Sequence, residues 1–570
     1  MAVKKTLSRY WLRALASGVI FTTPFKAVAQ SLPNPIFPRE PELPIPTLPV
    51  PQPNPLEPTA PLPQQSTPIG ESQQTITVER FEFEANTAFS DRELASVTQQ
   101  FTGRPITFAE LLAAEAAVTQ KYVDAGYINS GAVILANQTF PKDRAVVKIR
   151  IIEGGLEQIR VTGTRRLNRG YVVQRLEIAT QRPLNRDRLL EALQLLQLDP
   201  RIASIRAELQ PGVRPEASIL EVQIKEADTF NAEAFFDNER SPSVGSFRRG
   251  VTITDLNLAG LGDAIAFSYA NTNGSHAYDL DYTIPFNPRN GTIGLTGSYS
   301  DTSVLEPPFD RIDIEGKSFS GGLTIRQPII LRPSEEFALG LIADYQQSQT
   351  FIQDKGFPLA LGSDEQGRTQ IYGLRFFQDY VRRNPRDVFA VRSQLSIGLD
   401  VLNATINDSG PDGRFFAWRG QAQYVRLLAP DTLFIFRTDA QLTPNPLVSL
   451  EQIGIGGARS VRGYRQDTLL TDNGILVSAE ARLPIFRVRK VGGVLQVTPF
   501  VDFGYGWNNK EQPEIQDSNT LLGIGLGVLW QMGDNFSARI DYGIPLIDVD
   551  SGDRTLQEKG VYFSLRYSPF

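Results

Sequence analysis

Two patterns of apolar and polar residues divide the chain near residue 228. Beyond that point, apolar and polar positions alternate in segments separated by turn pairs such as Asn273-Gly274 and Asn290-Gly291. Period-two alternation puts successive side chains on opposite faces of a strand, and asparagine-glycine pairs favour tight hairpin turns. We count about sixteen such segments, each of about ten residues. Residues 228–570 are therefore predicted to form an antiparallel all-β region.

The last segments show the alternation most clearly. Around residue 502, Val501 and Phe503 share one face of the predicted strand, and Asp502 lies on the other. The next segment alternates large apolar residues with three glycines, Gly523, Gly525 and Gly527. A membrane barrel alternates in this way, with apolar side chains toward lipid, but so does a soluble β-sandwich. In a barrel, Asp502 and the glycines would face the interior, where the glycines would leave room for a loop.

The region between residues 75 and 227 combines strand and helix patterns. Residues 75–154 predict the order strand, helix, helix, strand, strand, with the last two strands over residues 132–137 and 145–153. Residues 155–227 repeat this order. Capping boxes mark both helix starts of the first unit, Ser90 with Glu93 and Thr107 with Glu110. Each unit has about 75 residues, which is enough for a small domain with one core. We therefore expect two consecutive α+β domains.

The first 29 residues have the pattern of a secretory signal peptide. Basic residues precede an apolar stretch over residues 14–21, and Ala27 and Ala29 supply the small residues of a cleavage site. The apolar stretch is shorter than the roughly 20 residues that a membrane-spanning helix needs. We expect Gln30 to be the first mature residue and the mature chain to leave the cytoplasm.

Residues 30–74 are rich in proline and are predicted to form an extended spacer. Proline lacks a backbone N–H and fixes φ, so such a segment cannot form a regular helix or a central strand. An N-terminal helix within residues 31–68 is therefore not expected.

Composition and net charge exclude several kinds of functional site. The chain has no cysteine, which excludes thiolate zinc sites, disulfides and cysteine nucleophiles. The net charge of −6 gives no basic surface for nucleic acid. A Ser-His-Asp triad would need His276, the single histidine, which we interpret as a solvated turn residue. Residues 454–457 are glycine-rich but lack the Lys-Ser/Thr of a phosphate loop. We expect neither an enzyme nor a metal or cofactor.

The two α+β units and the alternating region together resemble the TpsB transporters of two-partner secretion, the ShlB/FhaC/HecB type of haemolysin secretion/activation protein. This family is a branch of the superfamily that contains BamA. Residues 81–86, FEFEAN, and residues 121–127, KYVDAGY, are similar to the opening and the helix end of a ShlB-type POTRA domain. Residues 159–163, IRVTG, resemble the opening of a second POTRA domain. The resemblance implies an all-β transmembrane barrel of about 16 antiparallel strands, preceded by two α+β POTRA domains in the periplasm.

Two further motifs carry the resemblance into the barrel. Residues 456–464, GGARSVRGY, resemble the VRGY motif at the tip of a pore-inserted loop, here about residues 443–473, between the eleventh and twelfth strands. Residues 500–504, FVDFG, resemble the companion motif of the thirteenth strand. The resemblance implies that the loop arginine pairs with the aspartate of that strand. The residues concerned are Val461, Arg462, Gly463 and Tyr464 in the loop, and Phe500, Asp502 and Gly504 in the strand.

The chemistry of these residue types agrees with the implied pair. Arginine stays charged and its planar fork can bind a carboxylate through two parallel hydrogen bonds. Such a pair is stronger inside a shielded lumen than in bulk water. The chain ends on Phe570, which resembles the terminal aromatic residue that the barrel-assembly machinery reads, although Ser568-Pro569 shifts the alternation of the last strand by one.

By this resemblance the chain exports a TpsA-like exoprotein through its barrel without ATP, coupled to folding of the client outside. Its other partners would be the barrel-assembly machinery during biogenesis and the lipid of the outer membrane. The main alternative is an assembly or import factor of the BamA or Toc type, which typically carries three or more POTRA domains. An outer-membrane enzyme would need a nucleophile and base that the sequence lacks, and a passive porin would leave the two α+β units unexplained.

Overall fold

The computed structural model describes residues 54–56, 75–138, 141, 144–214, 216–509, 519–549 and 554–569. The predicted signal peptide, most of the proline-rich linker, any N-terminal helix within it and the terminal Phe570 lie outside the described residues.

The first α+β unit is a four-stranded sheet covered by two helices, with the strand order β2-β1-β4-β3. Parallel pairing of β1 with β4 places the first and last strands of the unit side by side. The elements are β1 Thr75–Glu84, α1 Asp91–Thr98, β2 Pro105–Thr107, α2 Phe108–Asp124, β3 Gly131–Ile134 and β4 Ala145–Ile152.

Local sequence explains most of this unit. Both predicted capping boxes form, with Ser90 and Thr107 accepting the N–H of the glutamate three residues on. Two details differ from the prediction. The strand expected over residues 132–137 ends at Ile134, and the three-residue strand β2 was not predicted. Strand β2 exists only because β1 pairs with it, and a segment of three residues that begins with proline has no readable period.

The second α+β unit has a three-stranded sheet in the order β5-β7-β6. Its elements are β5 Gly155–Thr162, α3 Arg169–Ala179, α4 Arg186–Gln197, β6 Ile202–Pro211 and β7 Ala217–Glu226. The edge strand β6 has an additional neighbour from the linker, because the N–H of Ala207 donates to the carbonyl oxygen of Pro55 at 2.7 Å. Leu56 packs against the apolar core of the unit.

The rest of the described chain forms a closed antiparallel barrel of sixteen strands, which confirms the predicted fold class and strand number. The sixteen strands are β8 Phe230–Asp237, β9 Arg248–Asp255, β10 Ala264–Thr272, β11 Ser275–Pro285, β12 Thr292–Ser303, β13 Ile314–Arg332, β14 Glu335–Ile352, β16 Arg368–Asn384, β17 Asp387–Gly398, β18 Phe416–Ala429, β19 Thr432–Leu442, β22 Asn473–Val488, β23 Gly493–Trp507, β24 Thr520–Met532, β25 Phe536–Pro545 and β26 Val561–Tyr567. Three short strands lie in loops, β15 Lys355–Gly356, β20 Ile453–Ile455 and β21 Leu469–Thr471. Short 3₁₀ turns occupy Gln99–Phe101, Pro242–Val244, Phe309–Arg311 and Arg489–Val491.

The barrel closes where β26 pairs with β8, from Ser564 opposite Asp237 to Tyr567 opposite Ala234. Along each strand the outward side chains are large, apolar and exposed, as in Ile524, Leu526 and Val528 of β24. Many inward positions are polar or small, and some carry buried apolar side chains such as Ile371 and Phe377. This two-sided pattern is the one required of a barrel surrounded by lipid and enclosing a polar lumen.

His276 is the second residue of β11 and not a turn residue, which corrects the prediction. The turn itself is Asn273-Gly274, and it is tighter than expected because Ser275 already pairs with Thr272. The side chain of His276 is exposed, and its Nδ1 lies 2.9 Å from the hydroxyl of Tyr269 on the neighbouring strand.

No helix among the described residues is long and apolar enough to cross a membrane.

The second α+β unit is docked against turns at one end of the barrel. Arg201 donates from Nε to the carbonyl oxygen of Leu256 at 2.6 Å and also reaches the carbonyl oxygen of Gly262. Arg166 pairs with Asp255 at 2.9 Å. These bonds are charge-assisted and end on backbone or strand-end groups, so they attach the unit to the connection between β9 and β10.

Candidate functional site

The connection between β19 and β22, residues 443–472, folds into the barrel, and we call it the pore loop. It lies between the eleventh and twelfth barrel strands. Its two limbs pair as the hairpin of β20 and β21, from Ile453 opposite Thr471 to Ile455 opposite Leu469. The turn beyond this hairpin uses Gly456, Gly457 and Gly463 with φ of +113°, +101° and +107°. Residues other than glycine rarely adopt such φ values, so these three glycines determine the conformation of the loop tip.

Arg462 projects from the tip to the barrel wall and pairs with Asp502 of β23. Its Nε lies 2.7 Å from Oδ2 of Asp502, its Nη2 lies 2.9 Å from Oδ1, and its own backbone N–H donates to Oδ2 at 3.1 Å. The remaining nitrogen, Nη1, donates to Glu480 of β22 at 2.8 Å. The side chains of Arg462 and Asp502 are 2% and 0% exposed. The arginine is therefore fully enclosed with every direction of its fork satisfied.

The pair belongs to a network of alternating charges on the inner wall. Arg539 of β25 donates to Glu480 at 2.6 Å and to Asp541 at 2.6 Å, and Arg482 donates to Glu480 at 3.1 Å. Three arginines thus face three carboxylates, and the network carries no net charge. Balanced pairing with hydrogen bonds is what allows charges to be buried in this way.

The other residues of the strand motif also contact the loop. The ring of Phe500 lies beneath the guanidinium of Arg462, 3.4 Å from its central carbon to the ring centroid. Gly504 leaves room for the loop, because a Cβ there would lie 2.5 Å from a methyl of Ile455 and 2.9 Å from one of Val461. Val461 is completely buried. The structure therefore brings Phe500, Asp502 and Gly504 together with the loop motif.

Tyr464, the last motif residue, bridges two parts of the wall. Its hydroxyl lies 3.0 Å and 2.9 Å from the carbonyl oxygens of Leu522 and Ile547. Gly463 reaches the last strand instead, where its N–H donates to the hydroxyl of Tyr562 at 2.9 Å. The loop tip is consequently bonded to strands β22 to β26 or to the loops that join them.

Two wall glycines allow this close approach. A Cβ at Gly523 would overlap the carbonyl oxygen of Arg462, and one at Gly543 would lie 2.5 Å from the backbone nitrogen of Gly463. Of the three glycines that were expected to make room for a loop, only Gly523 does so. Gly525 accommodates the ring of Phe500 and the backbone at Tyr542, and Gly527 accommodates the carboxylate of Asp541.

Several residues of this site were not predicted from the sequence: Glu480, Arg482, Arg539, Gly543 and Tyr562. Each is a polar or small residue at an inward position of an alternating strand, which is the signal that could have marked it. That signal is shared by many lumen residues, and it does not say which of them the loop touches. Phe570, proposed as an assembly signal, lies outside the described residues.

The arrangement seats the pore loop inside the barrel through noncovalent contacts: hydrogen bonds, ion pairs and apolar packing. Such contacts can be exchanged for contacts with water or with another polypeptide, so the site is suited to opening and closing. The pore loop also reaches the loops beyond the strand ends, since Arg465 pairs with Glu306 at 2.9 Å and Arg459 with Glu239 at 2.8 Å.

Comparison with known proteins places these features in context. Residues 216–529 match the family described as haemolysin secretion/activation protein ShlB/FhaC/HecB, and residues 76–154 match the POTRA domain of ShlB type. The heme/hemopexin transporter protein HuxB of Haemophilus influenzae strain 86-028NP is 20% identical over 487 residues, which cover 81% of this chain and 82% of HuxB. The outer membrane transporter CdiB of Escherichia coli O6:K15:H31 strain 536 / UPEC is 23% identical over 518 residues, covering 87% and 84%.

A solved structure, CdiB from Escherichia coli, shares the fold. The TM-score is 0.67 with 20% identity, and the alignment covers 88% of this chain and 92% of that chain.

Proposed function

This chain belongs to the haemolysin secretion/activation protein family ShlB/FhaC/HecB, and on that premise we propose that it exports one partner exoprotein, TpsA-like and of the haemolysin or haemagglutinin type, through its own barrel. At the level of the family it is an outer-membrane transporter for a secreted partner protein. The barrel lies in the outer membrane, and the POTRA domains lie in the periplasm.

The observation that carries the proposal is the pore loop seated in the lumen by Arg462. A closed lumen with a removable loop explains how a barrel of sixteen strands can be sealed at rest and still pass an unfolded chain. The wall beneath the loop is polar and charged, which suits the backbone of an extended client. Movement of the loop would have to exchange the bonds of Arg462 with Asp502 and Glu480 for other partners.

Client capture is proposed to occur by strand addition to a sheet edge of the POTRA domains. Edge strand β6 supports this, because an extended piece of the chain itself, Pro55 and Leu56, already pairs with it. Edge strand β3 is less available, since Ala132 and Ile134 donate their N–H groups to Thr119 and Glu115 of α2 at 2.9 Å each. A client strand would therefore add to β6 and displace the linker residues.

The route from the second POTRA domain to the lumen is proposed to follow a cavity between that domain and the barrel. It has a volume of about 790 Å³. Arg175 and Leu198 line it from the domain, and Arg326 and Ile329 line it from the barrel. A passage that combines apolar surface with cationic groups can hold many different extended sequences. Folding of the client outside would drive its movement, since an outer-membrane protein has no ATP.

The test is secretion of the exoprotein encoded nearest this gene in cells that carry the wild-type transporter, Arg462→Ala or no transporter. A matched control is Arg487→Ala, which removes an arginine whose pair with Asp431 is exposed at the barrel surface. We expect export with wild type and Arg487→Ala, and none in the other two strains. Heat-modifiable migration in gels shows whether each variant barrel is assembled.

Two results would contradict the proposal. Export that persists without the transporter would reject it outright. Depletion of other outer-membrane proteins, with the exoprotein unaffected, would instead indicate an assembly factor of the BamA or Toc type.

A further inference from the structure

The pore loop is attached to the barrel wall at a second place, remote from Arg462. Glu451 lies in the limb that descends from β19, two residues before β20. Its carboxylate meets Arg375 of β16, the eighth barrel strand, whereas Asp502 belongs to the thirteenth. Four barrel strands thus lie between the two attachment points.

Arg375 is clamped between two carboxylates. Its Nη2 and Nη1 donate to the two oxygens of Glu451 at 2.7 Å and 3.0 Å. Its Nε and Nη2 donate to the two oxygens of Asp344, on β14, at 2.7 Å and 3.0 Å. The side chains of Arg375 and Glu451 are 6% and 8% exposed. Two bidentate pairs on one buried guanidinium make a rigid connection.

Apolar packing supports the same limb of the loop. Leu447 and Val448 are buried against Ile371 of β16 and against Phe415 and Ala417 beside or within β18. The backbone is fixed as well, because Gln441 donates to the carbonyl oxygen of Glu451 at 2.8 Å. The descending limb is therefore seated on one part of the wall, and the tip with Arg462 on another.

We propose that Glu451 and Arg375 form a second latch of the pore loop, and that the loop leaves the lumen only when both this latch and the contact of Arg462 are released. The proposal rests on the proposed function insofar as the loop must move during export. Glu451 and Arg375 act as positioning residues. A client segment that carries its own charged groups could exchange with them.

The charge arrangement provides a matched pair of variants. Glu451→Gln and Asp344→Asn each remove one of the two carboxylates and leave Arg375 paired with the other. Neither variant therefore leaves the buried guanidinium without a carboxylate partner. Only Glu451→Gln weakens the link between loop and wall, because Asp344 and Arg375 both belong to the wall. Both variants are accordingly expected to assemble as heat-modifiable barrels.

The first measurement is single-channel conductance of the purified full-length protein in planar lipid bilayers. We expect Glu451→Gln to raise the fraction of time in conducting states about tenfold over wild type, the effect of losing one charged hydrogen-bond pair. Asp344→Asn is expected to stay near wild type. Equal behaviour of the two variants would overturn the proposal.

A second measurement reports the loop position directly. The chain contains no cysteine, so Ser449→Cys introduces a single thiol beside the latch. Its rate of labelling by a membrane-impermeant maleimide should rise in the Glu451→Gln background and not in the Asp344→Asn background. Neither measurement needs a client, so the two proposals are tested separately. Conductance and labelling can reject the second latch in a protein that exports its client, and they can support the latch in a protein that does not. Unchanged labelling in both backgrounds would reject the latch.

Discussion

The hydroxyl of Tyr562, in the last strand of the barrel, donates to the carbonyl oxygen of Tyr464 at 2.6 Å while it accepts the N–H of Gly463 at 2.9 Å. One side chain therefore satisfies backbone groups of two consecutive residues at the tip of the pore loop. Tyr562 is 2% exposed, so these two hydrogen bonds are shielded from bulk water. The strand that closes the barrel also holds the tip of the pore loop.

Tyr562→Phe removes these two hydrogen bonds without changing charge or shape. Two buried backbone groups lose their partner, at a cost of about 1–3 kcal/mol to the seated loop. We expect more frequent conducting states in planar bilayers. Tyr278→Phe is the control, because that ring is exposed on the outside of the barrel. An identical conductance record for the two variants would show that Tyr562 does not hold the loop.

Gly523→Ala tests the close approach of the loop tip to the wall. The added methyl would overlap the carbonyl oxygen of Arg462, so we expect the tip to be displaced, pore conductance to rise and export to fall. Gly297→Ala is the matched control, since a Cβ at that strand position meets nothing within 4 Å. Conductance and secretion are measured for both variants. Wild-type values for Gly523→Ala would contradict the close packing of the loop tip against Gly523.

Glu480→Gln should destabilise the assembled protein strongly. Glu480 accepts hydrogen bonds from Arg462, Arg482 and Arg539, and its loss leaves three arginines facing two carboxylates. Breaking a buried pair in this way costs about 3–5 kcal/mol. The temperature at which the barrel loses heat-modifiable migration measures the effect.

The control for Glu480→Gln is Asp431→Asn. The pair of Asp431 with Arg487 is 44% and 49% exposed, and such surface pairs contribute about 1 kcal/mol or less. We expect a much smaller change in unfolding temperature for the control. Equal shifts for the two variants would mean that the inner network does not stabilise the barrel.

Arg201→Ala tests whether docking of the second POTRA domain matters for export. The variant loses bonds to the carbonyl oxygens of Leu256 and Gly262, so the domain should separate more easily from the barrel opening. We expect reduced secretion with unchanged conductance of the barrel. Arg160→Ala, which removes an exposed arginine paired with Glu221, should leave both unchanged. Wild-type secretion by Arg201→Ala would contradict a client path that requires the second POTRA domain to be attached to the barrel.

Glu153 is expected to make the first POTRA domain sensitive to acid. Burial would raise the pKa of Glu153, but hydrogen bonds from the Thr87 hydroxyl and from the N–H groups of Thr87 and Ala88 outweigh it and lower the pKa. A carboxyl whose pKa is lowered by folding stabilises the fold above its unfolded pKa, about 4.3 for glutamate. That contribution is lost as the pH falls through the folded pKa.

Hydrogen exchange of residues 75–154 in the full-length protein, followed from pH 7 to pH 3, measures this loss. Glu153→Gln should have lower protection at pH 7 and a smaller decrease toward pH 3. Glu82→Gln, which removes a carboxylate paired with Arg80 at the surface, should follow wild type. A wild-type slope retained in Glu153→Gln would assign the acid sensitivity to another group.

Much of the fold could be read from the sequence because its elements have local causes. Both helices of the first POTRA domain begin at the capping residues that predicted them, Ser90 and Thr107. Strand β2 escaped prediction because three residues show no period, and it forms only through its pairing with β1. His276 was misplaced by two positions because the length of a hairpin turn depends on the register of the flanking strands.

The candidate site was predictable only where a motif lies within one continuous segment. Arg462 and Asp502 stand in such segments, and the structure brings them together. Glu451 and Arg375, by contrast, are 76 positions apart and lie in segments without a motif. In the sequence, neither differs from other charged residues of the barrel region. Their contact depends on where the descending limb of the loop crosses the wall.

The sequence by itself determined the number of strands, the face of each strand that meets lipid and the order of the domains, because alternation, turns and caps are properties of neighbouring residues. Only the tertiary structure decided which inward residues meet. Closure of the barrel brings β22, β23, β25 and β26 around one loop tip, and strand register then sets Glu480, Asp502, Arg539 and Tyr562 within hydrogen-bond reach of one another or of the loop. Alternation and turn length restrict the register of neighbouring strands. They do not specify which inward side chains meet when distant strands and the pore loop come together.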